Sequence, residues 1–166
     1  MSCLLLKIIG CSLMVLTGTA AGWSCAMRLK RRRDFLLKLR GFLSALTTGL
    51  RYQSGDIYRL TAESARQAEL PLIPDSTDKP FMQEWKTLVS RLPRSCSLTE
   101  PDVALLLRLG AQLGKTDLDG QLRHLALTAT ELDALIAESE SLVSQRSRLY
   151  KTMGFFVGAS SAILLM

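Results

Sequence analysis

The chain is poor in the residues from which most active sites are built. It holds one histidine, His124, which stands beside Arg123 with neither a cysteine nor an acid at the spacing of a metal set or a catalytic triad. No glycine-rich phosphate loop, HExxH, GxSxG or CxxC string occurs. Of the four cysteines, Cys3, Cys11 and Cys25 lie in or beside an apolar stretch and Cys96 stands alone, so no disulfide framework or zinc site is spelled out. No segment alternates apolar and polar residues with period two over a useful length, so essentially no sheet is expected. These absences argue against an enzyme and against any cofactor, metal or small-molecule substrate.

What is abundant is apolar residue, and it is unevenly placed. Hydrophobic residues make up 48% of the 166 positions, high for a chain that meets only water. Residues 1–27 carry a single charge, Lys7, and residues 152–166 carry none. The first apolar stretch, about Leu4 to Trp23, is long enough as a helix to cross a hydrocarbon layer of roughly 30 Å. The second, 15 residues long, spans only about 22 Å as a helix and has to draw on Leu149 and Tyr150, a thinned bilayer or a partner.

The positive charge is just as local. Arg28, Lys30, Arg31, Arg32, Arg33, Lys38 and Arg40 against Asp34 give +6 within residues 28–40, equal to the net charge of the whole chain. Nucleic-acid binders spread such residues over a face with aromatics between them; here the cluster abuts an apolar stretch instead. The basic cluster Arg28, Lys30, Arg31, Arg32 and Arg33 therefore reads as a membrane flank that stays cytoplasmic. A cleavable signal peptide competes for residues 1–27, but five cations within six positions would resist translocation. Arg146, Arg148 and Lys151 precede the second apolar stretch, so both crossings place residues 28–151 on the cytoplasmic side. Three parts follow: an N-terminal transmembrane helix (1–27), a cytoplasmic helical bundle (28–151) and a C-terminal transmembrane segment (152–166).

Within the bundle the period is helical. Phe35, Leu36, Leu39, Phe42, Leu43, Leu46 and Leu50 recur every three or four residues, which predicts an amphipathic helix over 34–52 continuous with the apolar one. A short helix follows from Ile57 to about Ala68, then an exposed loop marked by Pro71, Pro74 and Pro80. Another helix runs from Phe81 to Leu92, stopping at Pro93. Thr99 is the expected cap of the next helix, which ends near Gly114. Thr116 is the expected cap of a long last helix whose seam is Leu118, Leu122, Leu125, Ala129, Leu132 and Ile136. The fold class is all-α.

Two small-residue rows, Gly18 to Gly22 and Gly154 to Gly158, fall one in each apolar stretch, and such rows let helices approach closely in lipid. His124 reads as a solvated histidine on the last helix. The face opposite the seam carries Arg123, Glu131 and Glu138, with Asp133 near them, and is the candidate surface for a partner.

The string Leu113-Gly114-Lys115-Thr116-Asp117 with Gln121, the leucine-rich last helix, Tyr150-Lys151, Gly154-x-x-x-Gly158 and the I-L-L-M terminus together resemble the stage III sporulation protein AB family of endospore-forming bacteria. The N-terminal half is similar too, from the helix containing Gly10 through the basic run to Tyr52. The family tends to carry an acid before that tyrosine and a proline turn after it; here Gly49-Leu50-Arg51 and Ser54-Gly55-Asp56 stand there. The resemblance implies a bundle like the cytoplasmic domains of the platform proteins of type II secretion and type IV pili. It also implies a place in the mother-cell membrane facing the forespore, in a secretion-like channel with other stage III sporulation A proteins, and contact with their AA ATPase. A membrane-anchored regulatory domain that binds a soluble protein is the alternative.

Overall fold

The computed structural model describes the backbone of residues 2–52, 56–74 and 80–165, and side-chain surroundings from Ser24 to Gln145 apart from residues 25, 53–55, 75–79 and 93–95. Five helices and, among the described residues, no strand make the chain all-α: α1 (Ser2–Tyr52), α2 (Ile57–Gln67), α3 (Phe81–Cys96), α4 (Glu100–Gln112) and α5 (Leu118–Leu165). The chain divides into two compact units, one of Met1–Lys30 with Glu140–Met166, the other Arg31–Ser139. Among the described residues no helix is long and apolar enough to cross a membrane. The apolar stretches up to Trp23 and from 152 onward, with Gly18, Gly22, Gly154 and Gly158, lie outside the residues whose side-chain surroundings are described.

The second unit is organised by the apolar stripe of α1. Phe35, Leu36, Leu39, Phe42, Leu43 and Leu46 are all buried, as helical periodicity requires of a face turned to a core. Trp85 of α3 sits at the centre of an aromatic run. Its ring lies 6.3 Å from Phe42 and 5.7 Å from Phe81; Phe81 in turn meets Tyr58 of α2 edge-on at 5.3 Å. Such offset and edge contacts add to the area buried. The indole N–H donates to the Leu106 carbonyl at 2.8 Å. That approach is possible because Gly110, one turn beyond Leu106 in α4, lacks a Cβ that would collide with the indole. Gly110 is thus a seat for Trp85 inside α4 and does not end a helix.

α2 faces a further row of small residues on α1. Gly41, Ala45 and Gly49 recur every four residues on α1; a Cβ on Gly49 would come 3.2 Å from Leu60, and one on Gly41 would come 4.0 Å from Ala68. Leu60 thus sits close against Gly49, while Gly41 and Ala45 line a cleft of about 410 Å³ between α1 and α2.

Three expectations change. α3 continues through Pro93 to Cys96 and stops where Ser97 takes a left-handed conformation, φ 59°; proline perturbs a helix interior without always ending it. The segment after α2 begins as core, since Leu70 and Leu72 are buried. On α5, Leu125 and Leu132 are buried, but Leu118 is 47% exposed, because it is the first residue of its helix and projects before the seam reaches the core.

Candidate functional site

The turn between α4 and α5 carries the string Leu113, Gly114, Thr116, Asp117 and Gln121, and each member has a visible task. Leu113 is buried, its N–H bonded to the Leu109 carbonyl at 3.2 Å. Gly114 takes φ 78°, a conformation that costs any side chain. The cap of α5 falls one residue later than expected. Gln121 N–H donates to the Asp117 carbonyl at 3.0 Å, and the Asp117 carboxylate hangs over the first turn, 2.7 Å from where a Cβ on Gly120 would stand. An acid there also complements the positive end of the helix. The Gln121 amide donates to the Thr116 carbonyl at 2.8 Å and ties the loop to the helix. Gln121 Oε1 and His124 Nε2, one turn apart, are enclosed without a protein hydrogen-bond partner. His124 is therefore half-buried, not the solvated histidine that its charged neighbour suggested.

The basic run is sorted by the helix. Arg28, Lys30 and Arg31 are exposed and Arg33 half-buried, while Arg32 turns inward. Its Nε and Nη2 donate to Oδ2 and Oδ1 of Asp102 at 2.7 and 2.9 Å, with side chains only 6% and 1% exposed. The same Asp102 closes the start of α4, accepting from the Thr99 N–H at 2.9 Å and the Thr99 hydroxyl at 2.8 Å. Thr99 is the cap, as its type and position predict. Hydrogen bonding to Asp102 holds the Arg32 guanidinium charged. Burial pushes the Asp102 carboxyl up, but the bonds from Arg32 and Thr99 outweigh it and leave it below the ordinary carboxylate range. Arg32 is thus a tie between α1 and α4 and not a free flank charge.

On α5 the expected partner-face residues are exposed, but two of the three are engaged within the bundle. Glu131 accepts from Arg108 of α4 at 2.7 Å. Glu138 stands 3.9 Å from Arg32, and Asp133 accepts from Arg40 of α1 at 2.7 Å. Arg123 is exposed, and between it and Glu131 on the same face Leu127 is 60% exposed. No group of His, Cys, Asp and Glu among the described residues could hold a metal ion.

Helices tied to one another by charge, with α4 and α5 joined by a glycine-and-glutamine turn, define an all-helical protein. The family model for stage III sporulation protein AB matches residues 7–166, and the chain belongs to that family. It is similar to the stage III sporulation protein AB of Bacillus subtilis (strain 168), 25% identical over 171 residues, covering 98% of this chain and 100% of that one. No solved structure matches it.

Proposed function

We propose that this sporulation protein is a non-enzymatic membrane scaffold in a secretion-like channel between mother cell and forespore, where its bundle contacts a cytoplasmic ATPase, stage III sporulation protein AA. The observation that carries the reading is continuity: α1 and α5 each run unbroken from the bundle into an apolar terminal stretch, and basic residues mark both junctions. In this reading residues 1–27 and 152–166 anchor the chain, with 28–151 on the mother-cell cytoplasmic side. The rows Gly18–Gly22 and Gly154–Gly158 serve helix packing in lipid.

The candidate docking face is the outer side of α5. Arg123, Leu127, Glu131 and Glu138 share it, and the exposed Leu127 supplies the apolar anchor that a purely charged face lacks. Exposed ion pairs such as Arg108–Glu131 cost a partner little to exchange. Co-purification of the AA ATPase with the full chain, compared with a Leu127→Asp variant, tests the reading together with sporulation efficiency. Loss of both readouts in a folded, membrane-inserted variant supports it. Full retention in Leu127→Asp and in Glu131→Lys/Glu138→Lys returns these residues to solvated helix surface.

A further inference from the structure

The cleft between α1 and α2 has a floor of Gly41, Ala45 and Gly49, with Leu60 and Ala68 across from them, and Glu63 is the one charged residue in its lining. Many hydroxyls of this bundle bond back to a carbonyl of their own helix, as those of Thr47, Thr87 and Thr128 do. Ser64 differs. It lines the cleft, is only 4% exposed, and its hydroxyl makes no hydrogen bond among the described residues. An apolar floor with an enclosed, unused hydroxyl in its wall is an incomplete surface. It calls for an aliphatic side chain over the glycines and a hydrogen-bond donor beside Ser64.

Both stand on the outer face of α5. Leu127 is 60% exposed, and Arg123, one turn away, is exposed and makes no ion pair or hydrogen bond among the described residues. Neither lines the cleft of its own chain. Arg32 and Arg40 of α1 turn toward Glu138 and Asp133 of α5, whereas Gly41 and Gly49 turn toward Ala68 and Leu60 of α2. The same ion pairs make α1 and α5 antiparallel and fix their register. Continued along the two helices, that register brings Leu127 level with Leu43 to Leu46 of α1, the middle of the cleft.

From this match we infer that Leu127 of one copy enters the cleft of the next, with Arg123 beside it on Glu63 and Ser64, so that bundles join head to tail within one membrane. The inference rests on the membrane reading proposed above and not on the ATPase contact. Copies anchored in one bilayer share a direction, so a neighbour turned about the membrane normal presents Leu127 at the height of the cleft. The two surfaces differ, so the contact repeats from copy to copy around that axis. Arg59, which holds Glu63 at 2.9 Å in an exposed pair, gives way at little cost. A second copy and the ATPase would compete for Leu127.

The test uses the full chain, its own four cysteines replaced by serine, in membranes of a host without other sporulation proteins. Gln67 lines the cleft and Thr130 lies one turn from Leu127, and both are exposed. With a short bismaleimide, a chain carrying Gln67→Cys and Thr130→Cys is expected to give a ladder of linked copies, and either substitution alone none. Leu127→Asp should cut the ladder about tenfold. Arg123→Glu should weaken it and adding Glu63→Lys should restore it, a rescue that a misfolded variant would not show. No ladder from the double substitution, with both cysteines reactive toward a monofunctional maleimide, overturns the inference and leaves the membrane reading standing. Dimers from a single substitution in equal yield would mean that like faces meet, and overturn it too, as does a ladder that Leu127→Asp leaves intact. A chain recovered outside the membrane fraction overturns both readings.

Discussion

The α1–α4 seam and the outer face of α5 both carry charge, and they treat it in opposite ways. At the seam, Arg32 and Asp102 are enclosed, every oxygen of the carboxylate is used, and the pair is continuous with the cap of α4. On α5, Glu131 and Asp133 meet Arg108 and Arg40 at equally short distances of 2.7 Å, yet these four side chains are 42 to 63% exposed. Distance is the same and environment is not. A charge enclosed with its partner becomes a fixed part of the fold, because removing one member strands the other away from water. A charge pair in solvent can be exchanged for water or for another protein at little cost. The molecule thus keeps its internal alignment at the seam and its adaptable surface on α5.

The sharpest way to break this contrast is Arg32→Ala. It leaves Asp102 buried and uncompensated, so unfolding of the full chain in detergent should show a loss of about 3–5 kcal/mol; a loss below about 1 kcal/mol would mean that the seam behaves like surface. Gly110→Ala tests the apolar side of the same region, since its Cβ would collide with the indole of Trp85. We expect about 1–3 kcal/mol of destabilisation and a shift in tryptophan emission as the bond to Leu106 is lost.

Acid is a gentler probe. Asp102 has a folded pKa below its unfolded value, so the stability it supplies is present above the ordinary carboxylate pKa of about 3.9 and fades as pH falls through the lower folded value. Comparing acid melts of the unaltered chain with Asp102→Asn should show this component missing from the variant. A matching acid slope in both would assign it to other carboxylates. The smallest effect is expected on α5: Glu131→Gln should change stability by about 0–1 kcal/mol, and the change should shrink further in high salt. A larger value from a double-mutant cycle with Arg108 would move that pair into the structural class of the seam.

Much of this arrangement is legible in the sequence. The stripe from Phe35 to Leu46, the cap at Thr99 and the turn at Gly114 follow from periodicity, side-chain hydrogen bonding and the need for a positive φ. The buried tie was missed because Arg32 was read as one of five flank cations. Its position carried the signal: Arg32 stands three and four residues before Phe35 and Leu36, on the apolar stripe extended by one turn. Asp102 stands likewise before Leu105, Leu106 and Leu109. Two opposite charges, each in register with a core stripe, pointed to a buried pair. The use of Gly110 was not legible, because a glycine in a helix reads as a break until the tryptophan that needs its space is placed over it. Leu118 was misplaced because a heptad seam says nothing about where the helix first meets its neighbours.

In the function proposed for this chain, the two apolar ends anchor a cytoplasmic bundle. The direct measurement is labelling by a membrane-impermeant maleimide in intact right-side-out cells, with single cysteines placed at Ser2 and at Gly55 of a chain whose own four cysteines are serine. Ser2→Cys is expected to label in intact cells and Gly55→Cys only after permeabilisation. Labelling of Gly55→Cys in intact cells would contradict it.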